Sequence, residues 1–279
     1  MLTRVIFNQK GGVGKSSIAV NLAAISAQHG FKTLVIDLDP QANSSQYLLG
    51  DDATYSADKT ALEPNIENFY NDVLGSNQPK SLIGSAIGSI LKAKNKGFDQ
   101  YIHRSPFENL DVLPASPSLG NLEHALVTKH KIYKLRDSIQ TLANQYDRIY
   151  IDTPPAFNFF TLSALITADR VLIPFDCDVF SKRALQTLIE NVIETQDDHN
   201  DRLEIEGIVV NQFQAQAKLP REVVQQLKDE GLPVLNHMLP PSVLMKESHH
   251  KNLPLIHLAT DHKLTQAYVS LFNEIENKE

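Results

Sequence analysis

Three short stretches carry residues whose types and spacing suit the handling of a phosphate and a divalent cation. The first is NQKGGVGKSS, Asn8 to Ser17. Glycines at 11, 12 and 14 free the backbone to turn tightly, so that consecutive N–H groups point at phosphate oxygens. A helix beginning there adds its positive N-terminal end. In the pattern G-x-x-x-x-G-K-[ST], Lys15 reaches the β- and γ-phosphates and the Ser16 hydroxyl holds Mg²⁺. The pattern also asks for a glycine five places before Gly14. Gln9 stands there instead, beside a second lysine, Lys10. The second stretch is VIDLDPQAN, in which Asp37 and Asp39 flank Leu38; either carboxylate could position a water. The third is YDRIYIDTPP, where Asp152 closes an apolar run, the position of a carboxylate that holds Mg²⁺ through water.

These groups need a scaffold that brings them to one edge. Val5 to Phe7 reads as a buried strand, and Ser17 to His29 as a helix with Ile18, Leu22 and Ile25 on one face and Gly30 as its stop. Thr33 to Ile36 is a second strand, so the chain opens with a βαβ unit. The rhythm resumes with a strand at Leu110–Leu113, a helix over Leu119 to Asn144, and a strand at Arg148–Ile151. A strand at Val171–Ile173, stopped by Pro174, follows, then a helix from about Lys182 to Thr195 and a strand from Ile205 to Val210 ending in Asn211. Leu219 to Glu230 is helical, Val234–Leu235 a short strand, and His262 to Glu276 a final helix. Continuous apolar strands alternating with helices predict an α/β fold, a mostly parallel central sheet with helices on both faces. In such sheets ligands bind beyond the carboxyl ends of the strands, where Asp37, Asp39 and Asp152 fall.

The 279 residues, 42% hydrophobic, suffice for one packed domain spanning 1–279. Residues from about Gly50 to Phe107 fit the rhythm poorly and read as helices and loops laid on one sheet edge, a surface elaboration carrying Asp51, Asp52, Gly84, Gly88, Lys92, Lys94 and Lys96. The single cysteine, Cys177, excludes a disulfide framework and a multi-thiolate zinc site, and points to a reducing compartment. Adjacent His249 and His250 read as incidental loop residues. The net charge of −7 gives no global attraction to nucleic acid, so DNA binding would need a local basic patch.

KGGVGKS from Lys10 to Ser16, DLDPQ from Asp37 to Gln41 and IDTPP from Ile151 to Pro155 together resemble the deviant-Walker-A P-loop ATPases, and within them the ParA-type partition ATPases. The resemblance covers the chain apart from about Gly50 to Phe107. It implies an ATPase using ATP and Mg²⁺, with Lys10, Gly11, Gly12, Val13, Gly14, Lys15, Ser16 and Ser17 on the phosphates. In that family two subunits trap two ATP molecules face to face, and the extra lysine, here Lys10, reaches the partner's phosphates. A charge supplied in trans to developing negative charge acts like an arginine finger. The family also implies that Asp39 orients the attacking water, that Asp37 supports the magnesium shell with Ser16 and Asp152, and that Ser17 touches the α-phosphate. Asn211 matches an adenine-contacting position, and Pro240 and Val243 pack near the base.

Partition ATPases of this kind bind DNA without sequence preference, and the basic candidates here are Lys182, Arg183, Lys218, Arg221 and Lys246, with Lys228 and Lys251. Where the family carries arginines in I-P-R-N-V-R, this chain has Pro241 and Leu244, which moves the expected patch toward Lys246. The implied partners are a second copy of the chain, DNA, and a ParB-like or cargo-adaptor protein that stimulates hydrolysis. The implied location is cytoplasmic, on the nucleoid in the ATP state. The septum-placement Min relatives end in a membrane anchor, but the last helix here has an acidic polar face against Leu264, Tyr268, Leu271, Phe272 and Ile275, which reads as core packing. One cysteine cannot bridge the cluster of a nitrogenase iron protein, Tyr268 alone is no tyrosine-kinase tail, and the length leaves no room for the amidotransferase domain of cobyrinate enzymes. The alternative is an assembly, maturation or metabolic ATPase of the same fold without DNA binding.

Overall fold

The computed structural model describes residues 1–50, 62–75, 97–177 and 181–277, and the side chains of residues 181 and 182 lie outside that description. The expectations placed on Asp51, Asp52, Gly84, Gly88, Lys92, Lys94, Lys96 and the Lys182 side chain therefore fall outside the described residues.

Seven strands form one sheet: β1 (Leu2–Ile6), β2 (Thr33–Asp37), β3 (His103–Arg104), β4 (Leu110–Leu113), β5 (Arg148–Asp152), β6 (Arg170–Asp176) and β7 (Glu204–Asn211). Their spatial order is β3-β4-β2-β5-β1-β6-β7. All pairs are parallel except β3 with β4, an antiparallel edge. Each central strand splits its residues between two cores. Val5, Leu34, Ile36, Ile149, Ile151, Val171 and Ile173 face one; Ile6, Val35, Tyr150, Leu172 and Val209 face the other. The period of two sends alternate apolar side chains to opposite faces, so an unbroken apolar run requires helices on both.

On one face lie α1 (Lys15–Gln28), α2 (Asn43–Leu49) and, from the C-terminal end, α9 (Val243–His250), α10 (Leu255–Leu258) and α11 (Lys263–Glu276). Between them in chain order come α3 (Ile66–Leu74), α4 (Glu123–Thr128), α5 (Lys134–Ile139), α6 (Phe159–Thr167), α7 (Ser181–Asp198) and α8 (Lys218–Asp229), which cover the other face. The α11 residues Leu264, Tyr268, Leu271, Phe272 and Ile275 are all buried, as core packing predicts. Among the described residues no helix is long and apolar enough to cross a membrane.

Four local expectations are corrected. The α1 helix is not amphipathic: Ile18, Ala19, Val20, Leu22, Ala23, Ala24 and Ile25 are all buried, because α2 and α11 pack against it on the same face of the sheet. The helix expected over Leu119 to Asn144 is broken into α4 and α5 with short 3₁₀ turns at either end. His130 adopts φ 52° at the break, and Lys131 N donates to Leu126 O at 3.0 Å. That kink lets Leu126 and Leu135 both enter the core. Strand β6 runs through Pro174 to Asp176. The missing proline N–H would face β1, but β1 pairs with β6 only as far as Ile6–Leu172, so no ladder bond is lost. The Pro174 carbonyl on that side accepts instead from Asn8 Nδ2 at 2.7 Å. Val234–Leu235 forms only a single bridge to Ile208.

Part of the segment from Gly50 to Phe107, among the described residues, packs into the core. Ile66, Phe69, Tyr70, Phe98 and Tyr101 join the main core, and β3 adds an edge strand.

At the middle of the sheet, Arg4 of β1 is fully buried. Its Nε lies 2.9 Å from Glu206 Oε2 of β7 and its Nη1 2.6 Å from Glu276 Oε1 of α11. Arg148 Nη2 of β5 closes the cluster at 2.6 Å from Glu276 Oε2. Burial pushes the Glu276 carboxyl up, but the Arg148 and Arg4 guanidinium groups bring it below the usual range. The cluster ties the last helix to three strands. Glu206→Gln is expected to destabilise the fold by about 3–5 kcal/mol in urea unfolding, because it strips the main partner from a buried guanidinium. A loss under about 1 kcal/mol, the level of a surface pair, would show that the cluster is solvated.

Candidate nucleotide site at the carboxyl edge of the sheet

The loop after β1 turns through Gly12 at φ 78° and Gly14 at φ 94°, conformations that side chains other than glycine rarely adopt. At Gly14 a Cβ would also meet Asn211 Nδ2 at 2.3 Å. Asn211, at the end of β7, donates from that nitrogen to Val13 O at 2.9 Å and so pins the loop from two strands away. Gly14 is the N-cap of α1 and offers no side-chain cap, which leaves first-turn amides for a ligand. Asn8 steadies the loop's entry, accepting from Lys10 N at 2.8 Å through Oδ1.

Lys15 opens α1 and is almost enclosed, at 7% exposure. Its Nζ donates to Lys10 O at 3.3 Å. Burial lowers its pKa, while Asp152 and Asp39 pull it back up. A bound polyanion would add to that second effect.

The carboxylates meet as the strand ends predict. Asp37 and Asp152 are register partners across β2 and β5, and both are fully buried. Burial holds each carboxyl above its ordinary range, and in Asp37 the Asp152 charge adds to it. The helix after the aspartate pair supplies their partners. Ser45 donates to Asp37 Oδ2 from N at 2.8 Å and from Oγ at 2.7 Å, and Asp39 N donates to Asp37 Oδ1 at 3.0 Å. Both Asp37 oxygens are thus committed to the chain itself. Asp37 thereby anchors the loop that carries Asp39. Asp152 Oδ2 accepts from Ser44 Oγ at 2.7 Å, while its Oδ1, buried, has no hydrogen-bond partner. Asp39 lines the same cleft, as enclosed as Lys15, with Oδ1 accepting from Gln41 N at 3.0 Å; burial raises its pKa, and the Gln41 amide and Lys15 oppose the rise.

The residues fit a magnesium ion carried in by phosphates. Among the described residues no group of three or more histidines, cysteines or carboxylates is assembled for a metal. Mg²⁺ characteristically uses one or two protein oxygens together with substrate phosphates and waters. Ser16 at the head of α1 and the unpartnered Asp152 Oδ1 are the oxygens that would be available for that role.

The cleft has two lobes. A phosphate-side lobe of about 690 Å³ is lined by the loop glycines, Lys15, Ser16, Asp39, Gln46, Tyr47, Pro155 and His249. A base-side lobe of about 590 Å³ lies between Asn211, Pro240, Val243, Lys246, His249 and Tyr268. Asn211, Pro240 and Val243 are therefore brought together around one lobe of the cleft, with Val243 71% exposed.

Lys10 has a partner that a reading of the loop alone misses. Its Nζ lies 2.6 Å from Asp176 Oδ2 at the end of β6. A second subunit is thus not required to account for the charge, although Lys10 remains 37% exposed at the rim. Also missed were Ser44 and Ser45, whose place one turn after the aspartate pair was a usable signal, and His249 with His250. These two histidines belong to α9 and line the phosphate side, which corrects their reading as incidental loop residues.

Arg183, and Lys218 with Arg221, lie in the first turns of α7 and α8, the helices that follow β6 and β7. Lys218 pairs with Glu222 at 3.4 Å. Lys246 lines the base-side lobe.

A model of the family described as AAA domain matches residues 1–205. The chain is 29% identical over 276 residues to the chromosome partitioning protein ParA of Myxococcus xanthus, covering 98% of this chain and 87% of that one. It is 31% identical to the chromosome-partitioning ATPase Soj of Treponema pallidum, covering 98% and 96%. Among solved structures, the McdA–ATP complex from Cyanothece superposes with TM-score 0.76 at 20% identity over 99% and 96% of the two chains. Cobyrinic acid a,c-diamide synthase from Mycobacterium smegmatis with an ATP analogue and magnesium does so at 0.76 and 22% identity, over 98% and 93%. At these identities the structural likenesses speak to fold alone.

Proposed function

The chain belongs to the AAA-domain family of ParA-type partition ATPases, and from that premise we propose that it hydrolyses Mg·ATP in this cleft to drive a dimerisation cycle that positions a cargo. The observation that carries the proposal is the pairing of an uncapped α1 N-terminus with the enclosed Lys15. A lysine held out of water beside open amides is arranged for a polyanion. The loop amides and Lys15 bind the β- and γ-phosphates, Ser17 the α-phosphate, and Asn211, Pro240 and Val243 hold the base. Magnesium, when bound, neutralises developing phosphate charge. Asp39 orients the attacking water in the cleft.

Lys10 leaves Asp176 and reaches the phosphates of a second copy, so ATP is completed as a ligand only in the homodimer. The dimer binds duplex DNA through backbone phosphates, using Arg183, Lys218, Arg221 and Lys246, with Lys182. A ParB-like or cargo-adaptor protein stimulates hydrolysis and returns the monomer. The cycle runs in the cytoplasm, on the nucleoid while ATP is bound. The whole chain, residues 1–279, acts as one ATPase domain.

The test is sedimentation of the chain with plain duplex DNA in ATP, ADP and no nucleotide. Binding is expected only with ATP and is expected to weaken steeply between about 50 and 200 mM salt, as counterion release requires. Absence of binding at low salt with ATP would overturn the DNA step and favour the assembly or metabolic ATPase. Absence of any phosphate release from ATP would overturn the ATPase itself.

A further inference from the structure

One contact in the cleft is explained by none of the three motifs. Ser17 Oγ lies 2.9 Å from Nε2 of His249, 232 residues further along the chain. His249 is open to the cleft and lines both lobes, so it stands on the ridge between the phosphate side and the base side. Its ring is held from behind. Tyr47 of α2 meets it edge-on, with centroids 4.8 Å apart and planes at 85°. The Tyr47 hydroxyl accepts from Asn21 Nδ2 at 3.3 Å and donates to Ser248 Oγ, which donates to Leu253 O at 2.6 Å. Asn21 Oδ1 in turn accepts from Leu255 N at 2.8 Å. Residues of α1, α2 and α9 thus fix one imidazole against the first turn of α1.

We propose that His249 is a positioning residue for the nucleotide: its Nε2–H donates to Ser17 Oγ, and the serine's own proton is thereby aimed at the α-phosphate of a bound nucleoside di- or triphosphate. The inference rests on the nucleotide reading of the site and adds to it a residue from the far end of the sequence. A hydroxyl has one proton and two acceptor positions. Left to itself in a helix, a serine turns that proton toward a carbonyl one turn back. A donor fixed on one lone pair steers the proton outward, where a phosphate makes it a charge-assisted bond of roughly twice the neutral strength. The opposite tautomer would draw the serine proton onto His249 and make the histidine a competitor of the phosphate. The two cases differ in sign.

The experiment is calorimetric titration of ADP and of adenosine into the full chain and its variants Ser17→Ala, His249→Ala, His249→Gln and the double alanine, with a thermal melt of each. His249→Ala is expected to weaken ADP about tenfold, the scale of one hydrogen bond to a charged group. His249→Gln, whose side-chain amide can donate, should recover most of that. In the Ser17→Ala background, His249→Ala should change ADP affinity by less than about twofold, because the pair acts as one unit. Adenosine affinity should fall by less than ADP affinity in Ser17→Ala and in His249→Ala. Unchanged or tighter ADP binding by His249→Ala, additive losses in the double variant, or an equal loss for adenosine would each overturn the inference while leaving the site a nucleotide site. If His249→Ala does not fold, His249→Gln carries the test by its ADP affinity against Ser17→Ala. A wild-type chain that binds no ADP would overturn the nucleotide reading as well.

Discussion

Lys10→Ala is expected to abolish ATP-dependent dimerisation and to lower partner-stimulated turnover by about 10³-fold, the lower end of what a cation supplied in trans contributes to phosphoryl transfer. ADP binding to the single chain should change little, because Lys15 and the loop amides make those contacts without Lys10. The fold should be equally stable, since a half-exposed ion pair such as Lys10–Asp176 contributes about 0–1 kcal/mol. Asp176→Ala separates the two roles of the lysine. It removes the partner within the chain and keeps the charge, so it should dimerise at least as readily as wild type at the same ATP concentration. Light scattering after gel filtration reads the dimer, and phosphate release reads turnover. An alanine variant at position 10 that still dimerises with ATP and turns over normally would show that the ion pair with Asp176 is the whole purpose of the residue.

Asp39→Ala should separate binding from chemistry. The variant is expected to bind ATP, to stay dimeric, and to lose at least about 10²-fold in single-turnover hydrolysis, the usual contribution of a group that positions or activates a nucleophile. The expectation follows from how the loop is held. Ser45 grips Asp37, Asp37 accepts from the Asp39 amide, and Asp39 accepts from Gln41 N. The carboxylate is thereby fixed in the cleft independently of any ligand. Removing it would delete the group proposed to orient water and leave Lys15, Ser16 and Asp152 in place. Because the dimer could no longer reset, DNA retention in ATP should become long-lived. Hydrolysis at the wild-type rate would rule Asp39 out as the group that orients water and return attention to Asp152.

The parts of the site legible in the sequence are those built by neighbours along the chain. A glycine-rich turn between a strand and a helix, and aspartates closing apolar strands, are local patterns. In a parallel sheet they lead to one place, since every strand delivers its carboxyl end to the same edge. The apolar face of α11 was legible for the same reason: its spacing of three and four defines one side of a helix. Reading failed where packing overrode local preference. No glycine or proline marks the break at His130, yet a straight helix could not put both Leu126 and Leu135 into the core. Pro174 looked like a strand end because a proline removes a donor, but the donor was not needed beyond the end of β1.

By itself, then, the sequence determined a parallel α/β sheet, a phosphate loop with an additional lysine, and the strand-end aspartates that surround it. Only the tertiary structure decided which residues those groups meet: Lys10 with Asp176, Asp37 with Ser45, Asp152 with Ser44, and Ser17 with His249. The division has a physical cause. Turn, strand and helix preferences are settled by sterics within a few residues, whereas a hydrogen bond between positions 17 and 249 exists only after the sheet order has brought α1 and α9 to the same edge.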